Sequence, residues 1–209
     1  MALVDIGGGS TEINLVVRGD VRMSTSVPLG SVRMTEMFCL SDPLLPGHER
    51  AMREHLRSSL SQALPAEQLG TWQWVMGSAG TIGALSNFIR KLPSTPRGVQ
   101  KAVPQRYAFT VRELAKASAS LRKMTLARRR KAPGIEERRA EIIVAGTIIL
   151  EEICAHVQAR SVKMMRRGLR DGLMLEEIER LGDAEGLILS GPPVRMSRQR
   201  RNMLISRIS

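Results

Sequence analysis

The chain has 209 residues, of which 32 are lysine or arginine and 20 aspartate or glutamate, for a formal net charge of +12. Apolar residues make up 43%, which excludes wholesale disorder and allows one domain with a genuine core plus extensions. Aromatics are only 3%, so the stacking platforms of a single-strand nucleic-acid binder are missing, and aliphatic residues, methionine and alanine must fill the interior.

Residues 2–6 read as a buried strand ending in Asp5 and the turn Gly7-Gly8-Gly9-Ser10-Thr11. Ile13, Leu15 and Val17 then alternate with Asn14, Val16 and Arg18. After the tight-turn signal Arg18-Gly19-Asp20, alternation resumes at Val21, Met23, Thr25 and Val27, so the chain opens with an antiparallel three-strand meander. Pro28-Leu29-Gly30-Ser31 breaks the sheet before a short helix over 32–38. A second helix over 48–64 carries Met52, Leu56, Leu60 and Leu64 at fourfold spacing. A strand over 72–76, a second glycine turn (Gly77-Ser78-Ala79-Gly80-Thr81) and a helix over 81–90 follow. Residues 91–106, with Pro93, Pro96 and Pro104, form an irregular connection, and Thr110 caps a helix running to about Met124. Over 138–157, Ile142, Ile143, Val144, Ile148, Ile149, Leu150 and Ile153 nearly encircle the axis, which predicts a buried helix. A short strand over 162–165 and a last helix over 170–181 complete the body, a mixed α/β sheet flanked by helices. The arginine-rich residues 182–209, interrupted by Gly191-Pro192-Pro193, read as a flexible basic tail.

The charge is unevenly placed. Residues 121–139, 160–170 and 186–209 together hold 18 basic and 2 acidic residues, which leaves 14 basic against 18 acidic elsewhere. A mildly acidic body with three basic stretches points to a polyanionic partner. Cys39 and Cys154 lie far apart in apolar surroundings and read as two buried, reduced thiols. His48, His55 and His156 show no metal-ligand spacing. The N-terminus has no signal-peptide pattern, and the uncharged run 69–89 is too polar and glycine-broken to span a membrane. A soluble, cytoplasmic protein is expected.

The segment Asp5-Ile6-Gly7-Gly8-Gly9-Ser10-Thr11-Glu12 carries the strongest chemical signal. Three glycines allow positive φ and a close backbone approach, and turn successive amides toward an anion. Ser10 and Thr11 add hydroxyls, while Asp5 and Glu12 can hold a hydrated Mg²⁺ or orient water. No Walker lysine is present, a strand rather than a helix follows, and Glu12 occupies the third glycine position of a Rossmann turn. The alternative is an ordinary glycine hairpin, although hairpins rarely need three glycines. The second turn (Gly77, Ser78, Gly80, Thr81) opens a helix and can meet an anion or a nucleotide edge; close strand–helix packing explains it equally well.

At these residues the sequence resembles the exopolyphosphatase/guanosine pentaphosphate phosphohydrolase family of the actin/hexokinase-like (ribonuclease H-like) superfamily. The resemblance rests on DIGGGSTE at residues 5–12, PLGSVR at 28–33 with Thr35 and Glu36, and GSAGT at 77–81. It continues in Arg139-Ala140-Glu141-Ile142-Ile143 with Ala145-Gly146 and Ile149-Leu150, and in GLRDGL at 168–173. These matches run in family order across residues 2–181. Family members begin with another lobe that carries a DxGSNS-type phosphate loop and a glutamate general base in an SGxEEA-type segment. Neither motif occurs here, so residues 1–181 look like the second lobe alone.

The resemblance implies Mg²⁺-assisted, in-line attack of water on a terminal phosphoanhydride of polyphosphate or pppGpp, in a cleft between lobes. It implies that Asp5 and Glu12 manage the metal and water, and that Gly7, Gly8, Gly9, Ser10 and Thr11 hold phosphate. Arg139 reaches later phosphates or is a solvated arginine before the buried helix. Arg128 to Lys131 and Arg166-Arg167 are rails for a polyanion or simply a solvated face, and Asp171 is a helix-start carboxylate rather than a catalyst. A first lobe in cis or in trans, and a homodimer, are the expected partners. The competing functions are a non-catalytic polyphosphate- or nucleotide-binding regulatory module and, more weakly, nucleic-acid binding through the basic stretches.

Overall fold

Alternating side chains build the first three strands: β1 (Ala2–Ile6), β2 (Thr11–Val17) and β3 (Asp20–Val27) pair antiparallel as a meander. The β2–β3 turn places Arg18 and Gly19 at φ 52° and 87°, the left-handed pair that matches the twist of a two-residue hairpin. The computed structural model describes residues 1–65, 72, 74–77, 80–92 and 108–165, all within the unit Met1–Gly168. Beyond the meander, β4 (Trp74–Gly77) lies parallel to β1, β6 (Ser161–Met164) parallel to β4, and β5 (Ala108–Thr110) antiparallel to β6. The sheet order is β3-β2-β1-β4-β6-β5.

One row across this sheet explains the core. Leu15, Ala2, Val75, Val162 and Phe109 pair in register across five strands, and all are buried. Above that face lies α6 (Ile143–His156), buried without interruption from Ile143 to Leu150 and packed on β1. Around it stand α1 (Ser31–Phe38), α2 (Pro46–Ala63), α3 (Thr81–Lys91) and α4 (Val111–Lys123). Met52, Leu56 and Leu60 turn the buried stripe of α2 inward, each fully buried aliphatic side chain contributing roughly 1.5–3 kcal/mol. Thr110 caps α4 with a complete capping box to Glu113.

A charged seam joins three of these helices. Arg53 on α2 reaches Glu151 and Glu152 on α6, both at 2.6 Å, and Arg57 reaches Glu152 at 2.8 Å. On α4, Ser118 donates to Glu151 at 2.9 Å and Arg122 pairs with the same carboxylate. Burial opposes the Arg53 charge, but the hydrogen bonds it donates to Glu152 and Glu151 outweigh burial and raise its pKa. Glu152 is buried, so its two guanidinium partners are what make its charge tolerable.

The structure departs from the sequence reading at several elements. β4 begins at Trp74, not at residue 72. β5 and the short helix α5 (Leu126–Arg130) were not expected. α6 starts at Ile143 rather than 138, behind a single 3₁₀ turn (Glu137–Arg139), because the Ala140 carbonyl accepts from Arg129 Nε at 2.9 Å. Cys154 is buried as expected, its thiol pushed up to about 12 by burial, whereas Cys39 is only half-buried; both are free. The helix over 170–181, the tail over 182–209, GLRDGL, Arg166-Arg167, Asp171 and Ser78 lie outside the described residues. Among the described residues no helix is long and apolar enough to cross a membrane.

Candidate active site

Because β1, β4 and β6 are parallel, their C-terminal ends share one edge of the sheet, the place where open α/β sheets hold ligands. The first glycine turn lies there, closed by the Ile6–Thr11 pair and by Gly7 N–H donating to Ser10 O at 2.9 Å. None of its three glycines adopts a positive φ, contrary to the conformation expected from the sequence. Space is the reason for two of them instead: a Cβ on Gly7 would lie 3.0 Å from Ser10 O and one on Gly8 3.3 Å from Val32 Cγ2, whereas nothing lies within 4 Å of the Cβ position of Gly9.

The turn is docked on the start of α1. The Gly7 carbonyl accepts from Ser31 N at 2.8 Å and Ser31 Oγ at 3.1 Å, and the Gly8 carbonyl accepts from Val32 N and Arg33 N. Gly30 must be glycine, since a Cβ there would strike the Gly8 carbonyl. The first amides of α1 are therefore consumed by the turn's carbonyls. The amides of Gly8, Gly9 and Ser10 find no backbone acceptor among the described residues. Successive free amides in a tight turn form an anion nest.

Two carboxylates flank this nest. Asp5 and Glu12 face each other in register on neighbouring strands, Asp5 exposed and Glu12 half-buried. Glu12 Oε1 accepts from Ser10 Oγ at 2.5 Å and from Ser26 Oγ at 3.0 Å, which orients the carboxylate. Ser26 was missed by the sequence reading, although the period-two alternation and the β2–β3 register place it opposite Glu12. A pair of carboxylates fits Mg²⁺, which typically takes one or two protein carboxylates and completes its shell with water and phosphate. Among the described residues there is no group of three or more metal-capable side chains. Thr11 does not face the nest: it is buried and donates its hydroxyl to Leu29 O at 2.6 Å.

At the second turn, Gly77 ends β4 fully packed, because a Cβ would collide with Ile82 and lie 2.8 Å from Val4 O. Gly80, at φ 87°, is the N-cap of α3 and offers no side-chain cap. Thr81 is buried against α6; a Cβ on Gly146 would lie 2.8 Å from Thr81 Cγ2 and 3.5 Å from Ser31 Cβ. The first residues of α1 and α3 thus converge on Gly146 and hold the two turns side by side.

Arg139 is half-buried, with Nη1 3.5 Å from the point where a Gly80 Cβ would stand. The basic run before it divides. Arg128, Arg130 and Lys131 are exposed, but Arg129 is buried and bonded to Met124 O, Ala140 O and Asp42, so it is a structural tie and not a polyanion rail. Sequence reasoning also missed an open cavity of about 290 Å³ lined by Gly80, Gly83, Ala84, Asn87, Glu136, Met164 and Met165. No local motif announces it, since three separate segments form its walls.

Comparison with known proteins fits this geometry. The profile of the Ppx/GppA phosphatase family matches residues 1–181. Exopolyphosphatase 1 of Mycobacterium leprae is 30% identical over 190 residues, which covers 88% of this chain and 53% of that protein. The guanosine-5'-triphosphate,3'-diphosphate pyrophosphatase of Pseudoalteromonas translucida is 19% identical over 183 residues, covering 88% of this chain and 35% of that protein. The crystal structure of the Aquifex aeolicus Ppx/GppA family member superposes with a TM-score of 0.72 at 26% identity, over 86% of this chain and 56% of that one. The chain spans about half the length of the exopolyphosphatases it matches. Its mixed sheet and helices have the actin/hexokinase-like architecture, and the chain belongs to the Ppx/GppA phosphatase family.

Proposed function

We propose that this chain is the phosphate- and metal-holding lobe of a hydrolase that releases terminal phosphate from inorganic polyphosphate or pppGpp, completed by a first lobe in cis or in trans. One observation carries the reading: the free amides of Gly8, Gly9 and Ser10 lie in the turn that joins the two strands carrying the register-paired carboxylates of Asp5 and Glu12. The names of the mycobacterial and Pseudoalteromonas relatives supply the two substrates.

The amides bind terminal phosphate oxygens and stay fixed because the Gly7 and Gly8 carbonyls are locked to α1, so little reorganisation accompanies charge development. Asp5 and Glu12 would hold Mg²⁺, which when bound neutralises phosphate charge and lowers the pKa of its water. Ser10 and Ser26 keep Glu12 aimed. Arg139 takes a more distant phosphate.

The test mixes the chain with the first lobe of a family member and measures phosphate release from polyphosphate and from pppGpp with excess Mg²⁺. Asp5→Asn is expected to lower the restored rate more than about 100-fold, since even outer partners of metal ligands cost 10–100-fold. An undiminished rate in that variant would sink the metal role. Binding of tripolyphosphate without turnover of either substrate would establish the alternative, a non-catalytic polyanion-binding module.

A further inference from the structure

Arg129 is the one buried cation among the described residues, at 6% exposure, although it sits in a run of exposed basic side chains. A buried guanidinium persists only where its donors are met, and each of its three nitrogens meets a different part of the chain. Nε donates to Ala140 O at 2.9 Å and Nη1 to Met124 O at 2.6 Å, while Nη2 pairs with Asp42 at 3.0 Å. Met124 is the C-cap of α4, Asp42 belongs to the loop after α1, and Ala140 directly follows Arg139. Asp42 also accepts from Leu126 N at 2.6 Å, so one carboxylate grips the start of α5 and Arg129 near its end.

These ties bracket Arg139. On its C-terminal side, Ala140 is fully buried and its carbonyl is held by Arg129. On its N-terminal side, Gly134 packs so closely on α3 that a Cβ there would lie 2.7 Å from Asn87 C. The turn that carries Arg139 is therefore fixed to α3 and, through Arg129 and Asp42, to the loop after α1. That helix is the one that locks the Gly7 and Gly8 carbonyls. Among the described residues the only ion pair of Arg139 is with Glu136, 3.6 Å from Nε. A single buried guanidinium thus connects the helix behind the nest to the turn bearing a second, half-buried cation.

We propose that Arg129 is a positioning residue that fixes the distance of Arg139 from the nest, and that this spacing makes the lobe prefer a phosphate chain to a single phosphate. The inference rests on the reading that the nest takes a terminal phosphate and Arg139 a later one. The experiment titrates the full chain with orthophosphate and with tripolyphosphate by calorimetry, at low and at raised salt, well below the unfolding temperature of each variant. Arg129→Lys keeps the charge but cannot reach three acceptors at once. It should weaken tripolyphosphate about three- to tenfold while orthophosphate stays within about twofold. Asp42→Asn, at an exposed position, loosens the same tie without emptying the core, and should weaken tripolyphosphate in the same sense even where Arg129→Lys does not fold. In an Arg139→Met background neither change should weaken tripolyphosphate further, a coupling that lost stability alone would not produce. The preference for tripolyphosphate should also fall more steeply with salt in the native chain than in either variant. Unchanged tripolyphosphate affinity in the variants, an equal loss of orthophosphate, or losses that add in full to that of Arg139→Met overturn the proposal. Failure of the native chain to bind orthophosphate overturns the phosphate reading itself, and the proposal with it.

Discussion

The two glycine turns lie at one sheet edge, the first docked on the start of α1 and the second opening α3, and they solve the same problem in opposite ways. At the first, α1 gives its free N-terminal amides to the carbonyls of Gly7 and Gly8, which leaves the turn's own amides facing out. At the second, Gly80 places no side chain over the amides of α3, and the nearest guanidinium is that of Arg139. The first turn is thus a preorganised nest with carboxylates beside it. The second is a helix start next to an arginine and an apolar slot. Similar glycine spacing conceals a difference in which amides remain free, and that difference is why we propose phosphate at the first turn.

The strongest way to break this contrast is Gly30→Ala. The added Cβ overlaps the Gly8 carbonyl, and a backbone atom cannot swing aside. Overpacking of this kind costs about 3 kcal/mol, and it should also push the nest out of shape and weaken tripolyphosphate. Gly9→Ala is the control: nothing lies within 4 Å of its Cβ position, so a change under about 0.5 kcal/mol is expected. Urea denaturation of both variants checks the pair. If they prove equally stable, the docking of the turn on α1 is not what shapes it.

Thr11→Val sharpens the same turn. The variant keeps the shape but strands the Leu29 carbonyl in the core, at a cost of about 1.5 kcal/mol. Tripolyphosphate affinity should stay within about twofold, since the hydroxyl is engaged internally. Weakened binding with unchanged stability would make Thr11 a phosphate donor after all.

For the second turn, Arg139→Met should weaken tripolyphosphate about tenfold at low salt, the loss of one charge-assisted contact, with Arg139→Lys recovering part of it. The effect should shrink as salt rises. An unchanged affinity would reduce Arg139 to a solvated arginine before α6.

What the sequence made legible follows from range. The meander, α1, α2 and the buried α6 announce themselves through periodicity within a few residues, and Asp5 and Glu12 through a contiguous motif. β5 did not, because a three-residue edge strand with one buried side chain, Phe109, carries no period. Arg129 looked like part of a solvated run, and only its three distant acceptors show why it is buried. The same limit hid Thr11's partner, 18 residues away, and the slot whose polar lining comes from Asn87 and Glu136. Hydrogen-bond direction was also illegible: the motif marked the first turn as an anion site, but the amides left free are set by α1.

The smallest effect lies at the rim of the second turn, in the pH dependence of the Glu136 ion pair. Arg138's hydrogen bond holds the folded-state pKa of Glu136 below its ordinary value, while the unfolded chain titrates near about 4.3. The unfolded state therefore binds its proton first as pH falls. The stabilisation from this carboxylate is fully present above the unfolded value and is lost as pH drops through the lower folded one. Because the carboxylate is exposed, the contribution is modest and screened by salt. Comparing the urea midpoints of the native chain and Glu136→Gln over roughly pH 6 to pH 3 should show a gap that narrows toward acid. A gap that widens toward acid would mean that the proton is held more tightly in the folded chain than in the unfolded one, and the ion pair with Arg138 would not be what sets the titration of Glu136.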